Sequence, residues 1–529
     1  MQATLNNTAG ASRKWLVLLV MSVGTLIIFL DNTVVNTALP AISVDLQAST
    51  STLQWVIDSY VLILAGLLLL GGSIGDRFGR KRWMTVGLVI FGAGAIGGAM
   101  AGTAAELIAA RAVQGLGAAL VLPATLSIIT NVFPRGERAK AIGIWTAVGA
   151  LGIGIGPALG GYLVDDFGWA SVFWMHVPVV AIALVGMIIV PKSRDERGLG
   201  LDIPGAILGT TGLVALVYGI IQGNEAGWTS PEILGALGSA AVLLYAFARV
   251  ELRSDHAMLP LRFFRQKDFT GAVLAIGLIM FGMLVTFFFL TQFFQIVQGR
   301  SALQAGLLII PTSLAMMMGA PLSGSLMSKI GPRYLVLAMA GAMVTGVMLL
   351  TSLNVGSSAL SVIIPLTIFV FGAGLGMPAL TDTVMAAVPE EDAGIGSAVN
   401  DVSRELGGAL GIATIGSVVS GLYRSNLGDA LVGLPTDVAE LAREGVGVAA
   451  ITAQQLPTEL ATNVLTVANG AFVDAMTTGF QISAIILLGA VVIAFTLIPN
   501  RMRTDQASTD DRVSIPALGP ELLPEGAPA

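Results

Sequence analysis

The chain has 529 residues, of which 55% are hydrophobic and 11% charged, with a formal net charge of -6 and a mean hydropathy of +0.84. Soluble domains are roughly 25% charged, so this composition excludes a soluble protein and indicates a membrane protein. The absence of cysteine excludes disulfides, thiolate metal sites and thiol catalysis, and two histidines, His176 and His256, are too few for a metal cluster.

Apolar runs of about 20 residues, each long enough to cross a roughly 30 Å hydrocarbon layer as a helix, recur along the chain. The first follows Arg13 and Lys14 and continues to about Leu39 without a small-residue cleavage site, so we expect a retained signal anchor. Together the runs predict an all-α membrane protein with fourteen transmembrane helices, at 15–38, 54–75, 83–102, 107–130, 139–163, 172–191, 203–222, 232–250, 270–293, 303–327, 334–353, 360–386, 398–420 and 478–498.

The lysines and arginines orient these spans. One set of alternate loops, together with the termini, holds 22 of the 27 Lys and Arg residues, whereas the other set holds only Arg300, Arg424 and Arg443. The remaining two, Arg111 and Arg404, fall within spans. Because cytoplasmic loops are enriched in Lys and Arg, both termini are predicted to be cytoplasmic.

Two loops after predicted spans resemble each other. "GSIGDRFGRKR" (72–82) follows the second span and "GSLMSKIGPR" (324–333) follows the tenth, but Ser328 stands where the first loop has Asp76. Such an internal repeat predicts two six-helix pseudo-repeats with a substrate site near the midplane between them, plus an inserted two-helix hairpin. The predicted organisation is a cytoplasmic N-terminus (1–14), an N-terminal half (15–200), the hairpin and its linker (201–252), a C-terminal half (253–500) with a long external loop (421–477), and a disordered cytoplasmic tail (501–529).

Four motifs resemble those of a known family. The loop 72–82 and "LIAARAVQGLG" (107–117) are similar to the loop signature and the fourth-span motif of the major facilitator superfamily, and "LDNTVVNTALP" (30–40) resembles the first-span signature of its drug:proton antiporters. Residues 143–161 resemble the antiporter motif, with Gly143, Gly152, Gly156, Pro157, Gly160 and Gly161 at its spacing. Fourteen spans are typical of the larger branch of these antiporters.

Proton coupling is predicted for three residues. Asp31 lies in the middle of the first span, where a charge costs roughly 2.5–3.5 kcal/mol on insertion scales, so it must face protein or water; it could bind and release a proton, or be a structural hydrogen-bonding group. The resemblance implies a role in proton transfer for Arg111, which could instead reach the outer interface near Glu106.

Glu405 is a second candidate proton carrier if Asp401 and Arg404 neutralise each other. Alternatively, all three residues lie at the cytoplasmic headgroups.

A substrate-binding face is predicted on the second span. Gln54 and Trp55 lie at i, i+4 and i, i+3 spacing from Asp58. A carboxylate, an amide and an indole on one stripe suit an organic cation, through charge and cation–π contact. The alternative is that Gln54 and Trp55 only mark the interface belt, where Trp is common.

Two motifs are predicted to take part in gating. Asp76, Arg77, Gly79 and Arg80 could latch one half onto the other, and breaking such charge pairs would switch between inward-open and outward-open states; alternatively the bases only set the topology. Gly152, Gly156, Gly160 and Gly161 allow close helix contact, and Pro157 permits a bend. A purely structural role for these glycines is the alternative.

The sequence therefore predicts a transporter rather than an enzyme, which exports hydrophobic and, we expect, cationic drugs in exchange for protons across a bacterial cell membrane. Small-molecule substrates, protons and the lipid bilayer are the expected partners, with no nucleic acid, no cofactor beyond the proton gradient, and a monomer as the expected state. The alternatives are export of one natural metabolite such as an antibiotic, lipid or siderophore, proton-independent uptake of a solute, or a membrane sensor without transport.

Overall fold

Every regular segment in the described part of the chain is helical. The computed structural model describes residues 2–133, 135–193, 202–254, 259, 261–388, 393–428, 436–498 and 500. Its first seven helices are α1 (Gln2–Asp45), α2 (Thr50–Phe78), α3 (Arg80–Ala99), α4 (Ala104–Val132), α5 (Arg135–Phe167), α6 (Ser171–Trp174) and α7 (His176–Gly186). Two more follow, α8 (Ile203–Ala226) and α9 (Pro231–Glu251).

The second part of the chain begins with a short 3-10 helix, Leu261–Arg265, and one turn of π-helix, Phe293–Val297, follows its first long α-helix. Its α-helices are α10 (Lys267–Gln292), α11 (Ala302–Ile330), α12 (Pro332–Leu350), α13 (Ala359–Ala386), α14 (Ala393–Leu427), α15 (Thr436–Glu444), α16 (Val446–Gln454) and α17 (Thr458–Thr496).

Twelve of the described helices are long and apolar enough to cross a membrane. Two further segments complete the fourteen predicted spans: α5, with 33 residues, and the apolar segment Ser171–Gly186, which contains α6 and α7. The prediction of an all-α fold with fourteen spans is confirmed. Within the predicted external loop 421–477, the structure has α15, α16 and the first twenty residues of α17, because window hydropathy detects only the apolar part of that long helix.

The helix packing repeats between the two parts of the chain. In the first half α1 packs along α5, and α2 and α3 pack along α4; in the second half α10 packs along α14, and α11 and α12 pack along α13. The halves meet where α5 packs on α11 and where α2 packs on α14. Two six-helix pseudo-repeats therefore pack face to face, as predicted.

The inserted hairpin lies beside one of these two seams. α8 and α9 pack on each other, and α8 also contacts both α2 and α14. Leu234, Val242 and Tyr245 of α9 are exposed, as expected for a helix that faces lipid.

Equivalent glycines form the turns of the two repeated loops, 72–82 and 324–333. Gly79, with φ +109°, joins α2 to α3, and Gly331, with φ +79°, joins α11 to α12. A side chain is strained at such φ values, which explains why both loops have glycine there. We call the end of the bundle with these two turns the proximal end, and the opposite end, with the α1–α2 loop, the distal end.

Candidate functional site

A buried ion pair occupies the interior of the first half. Arg111 Nη1 on α4 donates a hydrogen bond of 2.6 Å to Asp31 Oδ2 on α1, and the two side chains are 1% and 0% exposed. Two buried charges are tolerated only when each is paired and further hydrogen-bonded. Asp31 and Arg111, predicted separately from the sequence, thus form one site.

Several neighbours hold the Arg111 guanidinium in place. Its Nε donates to the carbonyl of Val56 at 3.1 Å, and Nη1 also donates to Gln114 Oε1 at 3.0 Å. The guanidinium carbon lies 4.2 Å from the centre of the Tyr60 ring, within the range of a cation–π contact. Because Val56 and Tyr60 belong to α2, the ion pair between α1 and α4 is also attached to the helix that carries Asp58.

The second oxygen of Asp31 has longer contacts. Gln114 Nε2 lies 3.4 Å from Asp31 Oδ1, and His176 Nε2, at the first residue of α7, lies 3.5 Å from the same oxygen. Gln114 and His176 are 0% and 1% exposed. The sequence analysis missed both residues; the i, i+3 spacing of Arg111 and Gln114 was the signal that could have revealed the first.

Asp58 is a second buried carboxylate, and it has no such partners. It is 0% exposed, and neither carboxylate oxygen accepts a hydrogen bond from a described protein group. An unpaired anion is costly in a dry interior, so the chemistry of this position suits a proton or a cation.

The predicted stripe of Gln54, Trp55 and Asp58 does not converge on one point. Gln54 Nε2 donates to the carbonyls of Ile412 at 2.8 Å and Ala413 on α14. The Trp55 ring lies 6.2 Å from the ring of Tyr218 on α8. Of the three, the indole therefore faces the inserted hairpin, whereas Gln54 faces the other half of the protein.

Glu405, Asp401 and Arg404 lie on the proximal part of α14 and are partly exposed. Asp401 Oδ1 accepts a hydrogen bond from Asn400 Nδ2 at 3.2 Å. Among the described residues, the ion pairs within 4 Å do not include Arg404, so the supposed Asp401–Arg404 pair is not formed in this structure. Arg404 does not neutralise either carboxylate at close range.

The loop between α2 and α3 is held within its own half. Arg80 Nε donates to Asp76 Oδ1 at 2.6 Å, and the Arg80 backbone N–H donates to the carbonyl of Ser193. Arg77 is exposed, with its guanidinium carbon 5.4 Å from the ring centre of Phe78. The contacts seen for these residues join elements of the first half rather than the two halves.

A basic residue in each of the two repeated loops stabilises the end of a neighbouring helix. Lys81 Nζ donates to the carbonyls of Ile188 and Val190 after α7, at 3.1 and 2.8 Å. At the equivalent position of the second half, Arg333 Nε donates to the carbonyl of Ile498 after α17 at 2.8 Å. Cations near unpaired carbonyls at helix C-termini are favourable, so the repeat extends to this local chemistry.

The antiporter-motif glycines lie at two interfaces. Gly152, Gly156 and Gly160 face α1: a Cβ at Gly152 would lie 3.0 Å from Leu26, and one at Gly160 3.1 Å from Val34. Gly161 instead faces the start of α11, where a Cβ would overlap the carbonyl of Ala302. Small residues allow such backbone approach.

The α5–α11 contact is extended by one carboxylate and one more glycine. A Cβ at Gly306 of α11 would overlap the carbonyl of Pro157. Asp165, near the end of α5, accepts hydrogen bonds from the backbone N–H groups of Ala302 and Leu303, both at 2.9 Å. It thereby binds the first turn of α11, whose N–H groups lack partners within the helix.

Three groups of hydrogen bonds between the halves lie toward the distal end. They are those from Gln54 to α14, those from α11 to Asp165, and one of 2.9 Å from Gln295 Nε2 to the carbonyl of Thr37. The halves are therefore tied together at the distal end in this structure.

Comparison with known proteins agrees with this architecture. The multidrug resistance protein Stp of Mycobacterium tuberculosis is 36% identical over 78% of this chain and 77% of its own length. The multidrug efflux pump LfrA of Mycolicibacterium smegmatis is 32% identical over 93% and 98%. The tetracenomycin C resistance and export protein of Streptomyces glaucescens is 32% identical over 92% of each chain.

Solved structures share the fold at low sequence identity. A bacterial homologue of the lysosomal transporter Spinster, in an inward-facing conformation, has a TM-score of 0.61 at 17% identity over 92% of this chain and 98% of its own. The E. coli xylose transporter XylE, partially occluded and inward open, has a TM-score of 0.54 at 14% identity over 90% and 98%. Residues 21–412 match the Major Facilitator Superfamily, which confirms the resemblance seen in the motifs, and the chain belongs to that family.

Proposed function

We propose that this transporter exports hydrophobic, cationic drugs in exchange for protons, by alternating access across a bacterial cytoplasmic membrane. The observation that carries the proposal is the buried ion pair of Asp31 and Arg111, linked through Val56 and Tyr60 to the helix that bears the unpaired Asp58. Relatives named for multidrug resistance and efflux support the export of drugs.

The distribution of basic residues supports a cytoplasmic location for the proximal end, with both termini on that side. The distal hydrogen bonds then close the transporter toward the outside, and substrate would enter from the cytoplasm. Opening toward the outside requires the contacts of Asp165 and Gln54 across the seams to break, which is a rigid-body movement of one half against the other.

The drug-binding region lies proximal to the Gln54 contact. Asp58 is one turn from Gln54 on the same face of α2, and Glu405 is two turns from Ile412 on the same face of α14. With a rise of 1.5 Å per residue, these offsets are about 6 Å and about 10 Å. Two carboxylates on facing stripes of opposite halves would attract a cation between them, just below the distal closure.

The ion pair would couple proton and drug. A proton that binds Asp31 removes its negative charge and weakens its bond to Arg111, whose side chain also contacts α2. A shift of Arg111 is thus transmitted to the helix of Asp58. Proton entry from the outside would favour drug release, and proton loss to the cytoplasm would restore drug affinity. No cofactor is required, and one chain contains all the residues named.

The test is ethidium accumulation in cells that express the protein. We expect lower accumulation than in empty cells, loss of the difference when an uncoupler collapses the proton gradient, and the same loss in Asp31→Asn at equal expression. Asp474→Asn, which removes an exposed carboxylate on α17, should export normally. Efflux that survives in Asp31→Asn would exclude the ion pair from the coupling mechanism.

One observation favours a narrower second function. The relative from Streptomyces glaucescens is named for resistance to, and export of, tetracenomycin C, so export of a single metabolite is the alternative. A substrate panel separates the two: several unrelated cations exported by wild type support multidrug efflux, whereas export of one uncharged natural product alone supports the alternative. No transport of any compound would instead favour a sensor.

A further inference from the structure

In the described structure, His176 lies beside the ion pair and is a group that can itself gain or lose a proton near neutral pH. It is 1% exposed and lies at the junction of α6 and α7. Its Nε2 is 3.5 Å from Asp31 Oδ1. Neither ring nitrogen makes a well-aligned hydrogen bond to a described protein group, although the backbone of Val172 and Phe173, one turn earlier, interacts with the ring. A buried polar ring without a well-aligned hydrogen bond calls for an explanation.

The two oxygens of Asp31 have different surroundings. Arg111 Nη1 binds Oδ2 at 2.6 Å, whereas the polar contacts of Oδ1 in the described structure are with Gln114 at 3.4 Å and His176 at 3.5 Å. Oδ1 is therefore the oxygen with remaining capacity for a proton. A shift of a few tenths of an ångström would bring His176 Nε2 into the ordinary range of a hydrogen bond to a carboxylate.

Among the described residues, the charged groups that act on His176 are Asp31 and Arg111. Asp31 faces it from α1 and Arg111 from α4, the ring of Phe91 on α3 packs edge-on at 5.5 Å, and Tyr60 of α2 lies on the guanidinium. Asp31 and Arg111 compensate each other, so one added proton gives the cluster a single positive charge. Arginine cannot release a proton in a protein, which leaves Asp31 and His176 as the groups that exchange it.

We propose that Asp31 and His176 share the transported proton, so that His176 is the second member of the proton-binding site. The proton moves between His176 Nε2 and Asp31 Oδ1: as the N–H bond breaks and the O–H bond forms, the imidazolium becomes neutral and the carboxylate becomes a carboxylic acid. Arg111 keeps its charge in both forms. This inference rests on the proposed function and adds a residue to its proton site.

The test observes His176 directly, without transport. The chain has only two histidines, so His256→Gln leaves His176 as the single ¹⁵N-histidine signal in the full-length protein, reconstituted in lipid. We expect its ring nitrogens to change from the neutral to the cationic pattern between about pH 5 and about pH 9. Adding Asp31→Asn should move the titration midpoint by about one pH unit or more, a tenfold change in proton affinity.

A His176 that stays in one protonation state over this range overturns the proposal, and so does a midpoint that Asp31→Asn leaves unchanged. Because this readout needs no substrate, it is independent of whether ethidium is exported. In vesicles, His176→Gln should move the pH profile of proton-driven ethidium efflux, whereas His256→Gln should match wild type. Equal profiles for all three proteins would assign His176 to packing alone. Wild-type vesicles without efflux would refute drug export but not proton sharing.

Discussion

The side-chain amide of Gln54 donates a hydrogen bond of 2.8 Å to the backbone carbonyl of Ile412, and this bond joins the two halves of the transporter near their distal ends. It joins the halves at the α2–α14 interface, and Asp165 joins them at the α5–α11 interface by binding the first turn of α11. The two seams close the same end of the molecule, and each can be perturbed separately.

Asp165→Asn should weaken the distal closure, because a neutral amide oxygen is a poorer acceptor than a carboxylate for the two backbone N–H groups. The natural lack of cysteine allows a single reporter, Thr37→Cys, at a buried distal position. We expect maleimide labelling to accelerate about two- to tenfold, the range implied by net hydrogen-bond energies of ~0.5–1.5 kcal/mol. Asp166→Asn, at the exposed neighbouring carboxylate, is the control. Equal labelling rates in the two variants would contradict a role of Asp165 in the distal closure.

Gly306→Ala should hold the distal end open. Its methyl group would overlap the carbonyl of Pro157, so α5 and α11 could not approach as they do here. We expect strong labelling at Thr37→Cys and reduced ethidium efflux. Gly341→Ala is the matched control, because open space surrounds that position. If both alanine variants export equally well, the α5–α11 contact is not needed in the transport cycle.

Removal of one member of the buried ion pair should destabilise the protein strongly. Breaking such a pair typically costs about 3–5 kcal/mol because a buried charge is left uncompensated. Arg111→Leu should therefore lower the melting temperature in detergent more than the double variant Asp31→Leu/Arg111→Leu, which leaves neither charge. A double variant that melts at or below the temperature of Arg111→Leu would show that the pair is not coupled.

Asp58→Asn should affect charged substrates selectively. Loss of the carboxylate should weaken the binding of ethidium by about tenfold or more, equivalent to ~1.4 kcal/mol, and leave an uncharged hydrophobic substrate nearly unaffected. Fluorescence titration of the purified protein measures both, with Asp474→Asn as the control. Equal losses for the two ligands would mean that Asp58 supports the fold rather than the cation.

The sequence predicted the features that depend on composition and local pattern. The number of spans could be predicted from hydropathy. The turns at Gly79 and Gly331 could be predicted from the glycine that each loop has at the same position. Asp31 and Arg111 were identified because a charge within an apolar span must have a partner in the protein.

The directions of side chains were harder to predict. In a helix that is apolar on all sides, the hydrophobic pattern does not distinguish the face toward lipid from the face toward protein. Trp55 was therefore expected beside Asp58, although it packs on Tyr218 of the inserted hairpin. Asp165 and His176 were missed because their partners are 137 or more residues away in the chain, and no local signal marks such contacts.

The inserted hairpin makes the two sides of the transporter mechanically unequal. α8 packs on both α2 and α14, so α8 must also move or tilt when these two helices separate. In the described structure, no inserted helix packs in this way on α5 and α11. We therefore expect the wider lateral gap, and the route for bulky, lipid-dissolved molecules, to form between α5 and α11.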